Sequence, residues 1–179
     1  MIAAVLALVS CSDSQGSSAP SGSPAPTSLS SADPCSFLER SVLAANGLKQ
    51  ESPAYTGATA RSCRWASRVF ATMVLVRWDS QVLVDFAQAF PTPVSDDVNI
   101  EGQRIVLGKS DERPACAGAF IAQKGTVVEV IVGMYVEDNE SAPNAHDACE
   151  LVKRLSGPVI RQIRAQHLLD TKPAIEPTS

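Results

Sequence analysis

The chain has 179 residues, a formal net charge of −4 and a pI near 5.1, which fits one folded domain with a sizeable core. Its 15 Lys and Arg residues are scattered without a basic run, so a nucleic-acid backbone is not an expected partner. The composition, 45% apolar and 19% charged, is that of a globular domain, and no apolar run outside the N-terminal leader approaches the roughly 18 residues that span a bilayer.

Residues 2–9 form an unbroken apolar run, too short to span a membrane and of a size suited to the h-region of an export signal. The run ends in Leu8-Val9-Ser10-Cys11, which resembles the bacterial lipobox, whose cysteine receives a diacylglyceryl group and becomes the mature N-terminus. Residues 1–10 are therefore expected to be a lipoprotein signal peptide and Cys11 the lipidation site. The membrane is then a partner through this anchor, at its extracytoplasmic face. Each buried methylene of an acyl chain contributes about 0.8 kcal/mol, so two or three chains hold firmly where one does not. No Lys or Arg precedes Ile2, so a start upstream of Met1, or a trimmed leader, is expected. Residues 12–32 are rich in Ser, with Gly16, Pro20, Gly22, Pro24 and Pro26, and with Leu29 as the one sizeable apolar side chain. Such a segment buries too little surface to offset its ordering entropy. Residues 11–32 read as a lipidated, disordered tether, 33–168 as the folded domain and 169–179 as a disordered tail.

Asp33 suits an N-cap and Pro34 the first helical position. Cys35, Leu38, Val42 and Ala45 fall on one helical face before Asn46-Gly47 ends the helix. Residues 61–66 and 69–78 are β-rich, the second apolar on both faces and so a central strand. Asp79-Ser80 then caps a short helix in which Val82, Leu83, Phe86 and Phe90 make a stripe to lie against the sheet, stopped by Pro91 and Pro93. Residues 98–107 read as a strand, turned or bulged at Glu101-Gly102, and 116–123 with 126–136 as a hairpin closing at Lys124-Gly125. The last helix starts near Asn144, presents Cys149, Val152, Leu155, Val159 and Ile163, and is expected to kink or restart at Gly157-Pro158. The expected fold is α+β: a single domain in which an antiparallel sheet of about five strands carries helices packed on it.

With Cys11 assigned to lipid, Cys35, Cys63, Cys116 and Cys149 remain, an even set that predicts two disulfides in an exported protein. Four cysteines allow three connectivities. Cys35 with Cys63 and Cys116 with Cys149 is favoured, because each pair ties a helix to a strand within its own half of the chain, and the sequence leaves the other two open. Their spacing lacks a close C-x-x-C pair and the chain has only 2 His, so no metal site is expected.

Asp33-Pro34-Cys35 opening a helix, Gly47-Leu48 closing it, Cys63-Arg64-Trp65 entering a strand, Cys116 on a later strand and Asp147-Ala148-Cys149 opening the last helix are spaced landmarks over about residues 33–165. In these the chain resembles the actinobacterial lipoproteins grouped as domain of unknown function 3558. The resemblance implies a lipobox, a Ser/Pro/Gly tether and four cysteines, and brings no activity.

No nucleophile elbow, zinc-protease helix, P-loop or dinucleotide turn is present, so neither an enzyme nor a cofactor is expected. His146 and His167 have no nameable partner for general-base work. Glu137-Asp138-Asn139-Glu140 lacks the spacing of an EF-hand and reads as a solvated loop, as does Asp96-Asp97. Trp65 and Trp78 read as core or partial core. The leading expectation is a cell-envelope binding or interaction module whose partner is a protein, glycan or lipid, recognised through an apolar or aromatic patch. The alternative is a small-ligand or lipid carrier with a contiguous apolar cavity. A wall enzyme with two carboxylates facing across a cleft is the third and weakest.

Overall fold

A computed structural model describes residues 28–51, 54–79, 81–135 and 145–170. The leader, Cys11, residues 12–27, the acidic stretch 137–140 and the tail 171–179 lie outside the described residues, as do the side chains of Asp96, Asp97 and His146.

The order is a 3-10 turn at Leu29–Ser31, a second at Pro34–Phe37, α1 (Arg40–Ala45), β1 (Lys49–Gln50), β2 (Tyr55–Thr56), β3 (Ala60–Ala66), β4 (Phe70–Arg77), α2 (Val82–Ala89), β5 (Thr92–Ile100), β6 (Gln103–Lys109), β7 (Ala115–Gln123), β8 (Thr126–Met134) and α3 (Ala145–Ala165). All pairings are antiparallel and form one sheet in the order β1-β3-β4-β8-β7-β6-β5, with β2 also on β3. The sheet thus has eight strands rather than about five. The additional ones are the two-residue β1 and β2, which are too short and exposed to show alternation, and β5, an edge strand that tolerates Pro93 and two breaks in register. Residues 98–107 are two strands: Glu101 and Gly102 both take positive φ, 53° and 77°, the geometry of a tight hairpin turn.

Asp33 caps as expected, its side chain accepting from the Cys35 amide at 2.9 Å, but the helix it starts is only a 3-10 turn. Leu38 is extended, with φ −115° and ψ 117°, and α1 begins after it. A single helix would point the adjacent Phe37 and Leu38 in different directions, whereas both are buried here. Helix α3 runs unbroken through Gly157 and Pro158, without the expected restart, and buries Cys149, Val152, Leu155, Val159, Ile160 and Ile163 completely.

The two faces of the sheet differ. On the first, Cys63 and Trp65 of β3, Val74 and Val76 of β4, Val128, Val130 and Val132 of β8, Phe120 of β7 and Leu107 of β6 form the main core with α3 and the N-terminal 3-10 turns. Leu29 is fully buried in it, so the packed structure reaches back into the stretch that reads as tether. Both disulfides lie on this face: Cys35–Cys63 joins the second 3-10 turn to β3 and Cys116–Cys149 joins β7 to α3, each with Cα atoms 5.1 Å apart. The favoured pairing is the one the structure has. Among the described residues the second face carries α2 alone, which crosses it as the connection from β4 to the far edge strand β5.

Candidate functional site

On the second face α2 sets Val82, Phe86 and Phe90 onto Ala115, Ala117 and Ala119 of β7 and Val127 of β8. Alanines make a low floor on which the helix can seat its three large side chains. Leu83, expected in the same stripe, instead points outward and is 53% exposed, with Val84 beside it at 50%. The chain then turns into β5 hard against β6, where a Cβ on Gly108 would stand 2.7 Å from the Phe90 carbonyl oxygen. Only glycine permits that approach.

Between α2 and the outer part of β6 and β7 lies a groove of about 1250 Å³. Leu83, Phe86 and Phe90 form one wall, Val106 and Ile121 the other, and Arg104, Arg164 and Asp170 stand at one end. Val106 and Ile121, both lining the groove, are each 40% exposed. The groove forms because β6 and β7 separate: their register pairs stop at Val106↔Ala119, and farther along the Gln103 amide group donates to the Ile121 carbonyl at 3.2 Å.

Next to this groove and below α2 is Glu129, the one charged residue among 126–134. It stands between Val127 and Ile131 along β8, opposite Leu75 of β4 and Ala119 of β7, and it is 3% exposed with Oε1 lacking a hydrogen-bond partner. Burial pushes its carboxyl up from the ordinary 4.5 to about 7; Arg77 pulls it back, while Asp79 and Asp85 push it further up. Arg77 binds both aspartates, Asp79 at 2.9 Å and Asp85 of α2 at 2.5 Å. Burial acts to raise the Asp79 carboxyl, but the hydrogen bonds from Arg77 and from the Gln81 amide outweigh it and hold it below the ordinary range.

The residues singled out from sequence occupy other places. Cys35, Cys63, Cys116 and Cys149 are spent in the disulfides of the first face. Trp65 is buried in the core and Trp78 packs against it. His167, with φ 58°, ends α3. Among the described residues there is no cluster of His, Cys, Asp or Glu that could hold a metal ion, and no helix is long and apolar enough to cross a membrane. Glu129 escaped the sequence reading because Val128, Val130, Val132 and Met134 supplied the buried face of β8, and a charge in the alternate set looks solvated. The signal was the flanking Val127 and Ile131, which make the second face apolar too.

No curated protein and no solved structure matches the chain. Residues 6–162 match a family described as protein of unknown function, DUF3558. With that match extending from residue 6 into the last helix, the chain belongs to the DUF3558 family.

Proposed function

We propose that this protein is a membrane-anchored lipoprotein of the cell envelope that binds, without converting, a single-chain amphiphile whose hydrocarbon part lies in the groove between α2 and the β6–β7 face. The groove carries this reading: at about 1250 Å³ it is large enough to take a small ligand, and Leu83, Phe86, Phe90, Val106 and Ile121 give it apolar walls. Arg104 and Arg164, the latter also donating to the Glu101 carbonyl at 2.6 Å, offer cationic groups to an anionic head at the end where Asp170 also stands. The anchor rests on Cys11 and the apolar run before it, which resemble a lipobox and a signal peptide; acyl chains on Cys11 would keep the domain beside the lipids from which it draws its ligand. Exposed Leu83 and Val84 support a second reading, in which the same surface docks an envelope protein.

The test is titration of delipidated protein with a fluorescent fatty acid. The expected result is saturable binding that weakens at least about tenfold in Val106→Glu and Ile121→Glu, since each places a charge where apolar contact worth about 1.5 kcal/mol or more is lost. Val69→Glu, 59% exposed at a distant turn, serves as the control and should leave binding unchanged. Absence of saturable binding, with both groove variants folded, overturns the ligand reading and leaves protein docking. The anchor is tested by membrane fractionation of Cys11→Ala: release supports it and retention overturns it.

A further inference from the structure

Of the groove's walls, α2 is the one most lightly held. Neither disulfide reaches it, three side chains seat it on the alanine floor, and its one charged residue, Asp85, is tied to Arg77. Arg77 is shared: Nε and a terminal nitrogen also bind Asp79 in the turn that leads into the helix. The seat of α2 therefore depends on the three buried side chains and, in part, on where one guanidinium points.

Glu129 lies within reach of that guanidinium, because Leu75 opposite it on β4 is two residues from Arg77 on the same face. Among the described residues, three strands, α2 and the turn before it surround Glu129. β4 presents Leu75, Met73 and Arg77, of which only Arg77 is charged; β7 presents Ala117, Ala119 and Ile121; β8 itself presents Val127 and Ile131. From above, α2 contributes Asp85 and the preceding turn Asp79. A neutral carboxyl fits this apolar pocket at the cost of one unmade hydrogen bond. An ionised one is buried, repelled by two carboxylates, and offered a single cation already bound to both.

We propose that Glu129 is a proton-operated latch for α2: while protonated it lets the helix lie closed on the alanine floor, and on ionisation it draws Arg77 away from Asp85 so that the helix lifts and the groove loses a wall. The proton passes to solvent, the Arg77–Asp85 ion pair breaks and an Arg77–Glu129 pair forms in its place. Burial places the transition near neutral pH. Release of ligand on lifting rests on the groove being a binding site, as proposed above; the lifting itself does not.

The experiment is hydrogen exchange of the full chain without ligand, from about pH 5.5 to about pH 8.5 and corrected for intrinsic rates, with α3 as internal reference. The expected result is that α2 amides lose protection by about tenfold or more across neutral pH while α3 amides do not, and that Glu129→Gln keeps α2 protected throughout. A pH-independent α2 in the wild type, or the same loss in folded Glu129→Gln, overturns the latch. Should that variant fail to fold, carbon-13 titration of the wild-type Glu129 carboxyl decides: an apparent pKa near 4.5 overturns the latch, and one near 7 that moves with the α2 resonances supports it. The fluorescent fatty acid is then titrated at both ends of the range. Affinity that stays constant while α2 lifts overturns the groove as ligand site and leaves the latch standing.

Discussion

At Gly118 the packing of α3 on β7 leaves no room for a side chain: an added Cβ would stand 2.8 Å from Val152 Cγ1 and 3.1 Å from both Ile105 Cγ2 and Leu107 Cδ2. All three neighbours are buried in the main core, so none can swing into solvent. Gly118→Ala is expected to destabilise by about 1–3 kcal/mol in chemical denaturation. At Gly133 on β8 an added Cβ meets nothing within 4 Å, and Gly133→Ala should be neutral or slightly stabilising. Glu129 gives a second prediction at this scale. Its folded carboxyl binds a proton more tightly than the unfolded one, so its contribution is fully present below the ordinary 4.5 and is lost as pH rises to about 7. The loss attributable to this residue is roughly 3 kcal/mol. It is measured as the difference between wild type and Glu129→Gln in urea melts across that window, and parallel pH profiles would refute it.

At the scale of elements, α1 and α3 end in the same device with different residues. Gly47 donates its amide to the Ala44 carbonyl and Leu48 to that of Leu43; His167 donates to Arg164 and Leu168 to Ile163. Both are Schellman ends with an apolar clasp, and both need a left-handed residue, Gly47 at φ 62° and His167 at φ 58°. Glycine adopts that conformation freely and histidine does not. His167→Gly is expected to raise stability by about 1 kcal/mol in thermal or urea unfolding. The sequence announced the first cap through Asn46-Gly47, while the second could not be read because histidine carries no capping signal. The same contrast runs through the fold. Helix α3 and the β7–β8 hairpin were legible from apolar periodicity and Lys124-Gly125. The second 3-10 turn was not, because the spacing of Cys35, Leu38 and Val42 fits a helix equally well until Phe37 and the disulfide to β3 claim the core. β5 was hidden by Pro93 and a polar run, and only pairing with β6 makes it a strand. The groove could not be read at all, since it arises from where β6 and β7 part.

For the molecule as a whole, the two faces divide stability from mobility. The first face is closed by α3, the N-terminal turns and both disulfides, with sequence separations of 28 and 33. Each bridge is expected to contribute about 3 kcal/mol by restricting the unfolded chain. Paired replacement of Cys35 and Cys63, or of Cys116 and Cys149, by Ser should lower the melting temperature clearly in each case. Because neither bridge touches the second face, both variants should keep the wild-type pH response of α2 in hydrogen exchange; its loss in either would show that the faces are coupled.

The pairing of β4 with β8, Phe70↔Met134 through Arg77↔Val127, is the seam between two successive portions of the chain. Up to β4 the N-terminal portion already contains both partners of the Cys35–Cys63 bridge, so this cross-link can close before the rest has been delivered. The other cross-link must wait for α3, the last of the described elements to emerge. During that interval the apolar edge of β4 lies open, ready for β8 but equally available to another copy. Folding yield and chaperone demand should therefore be set by how quickly the final third of the polypeptide follows the first.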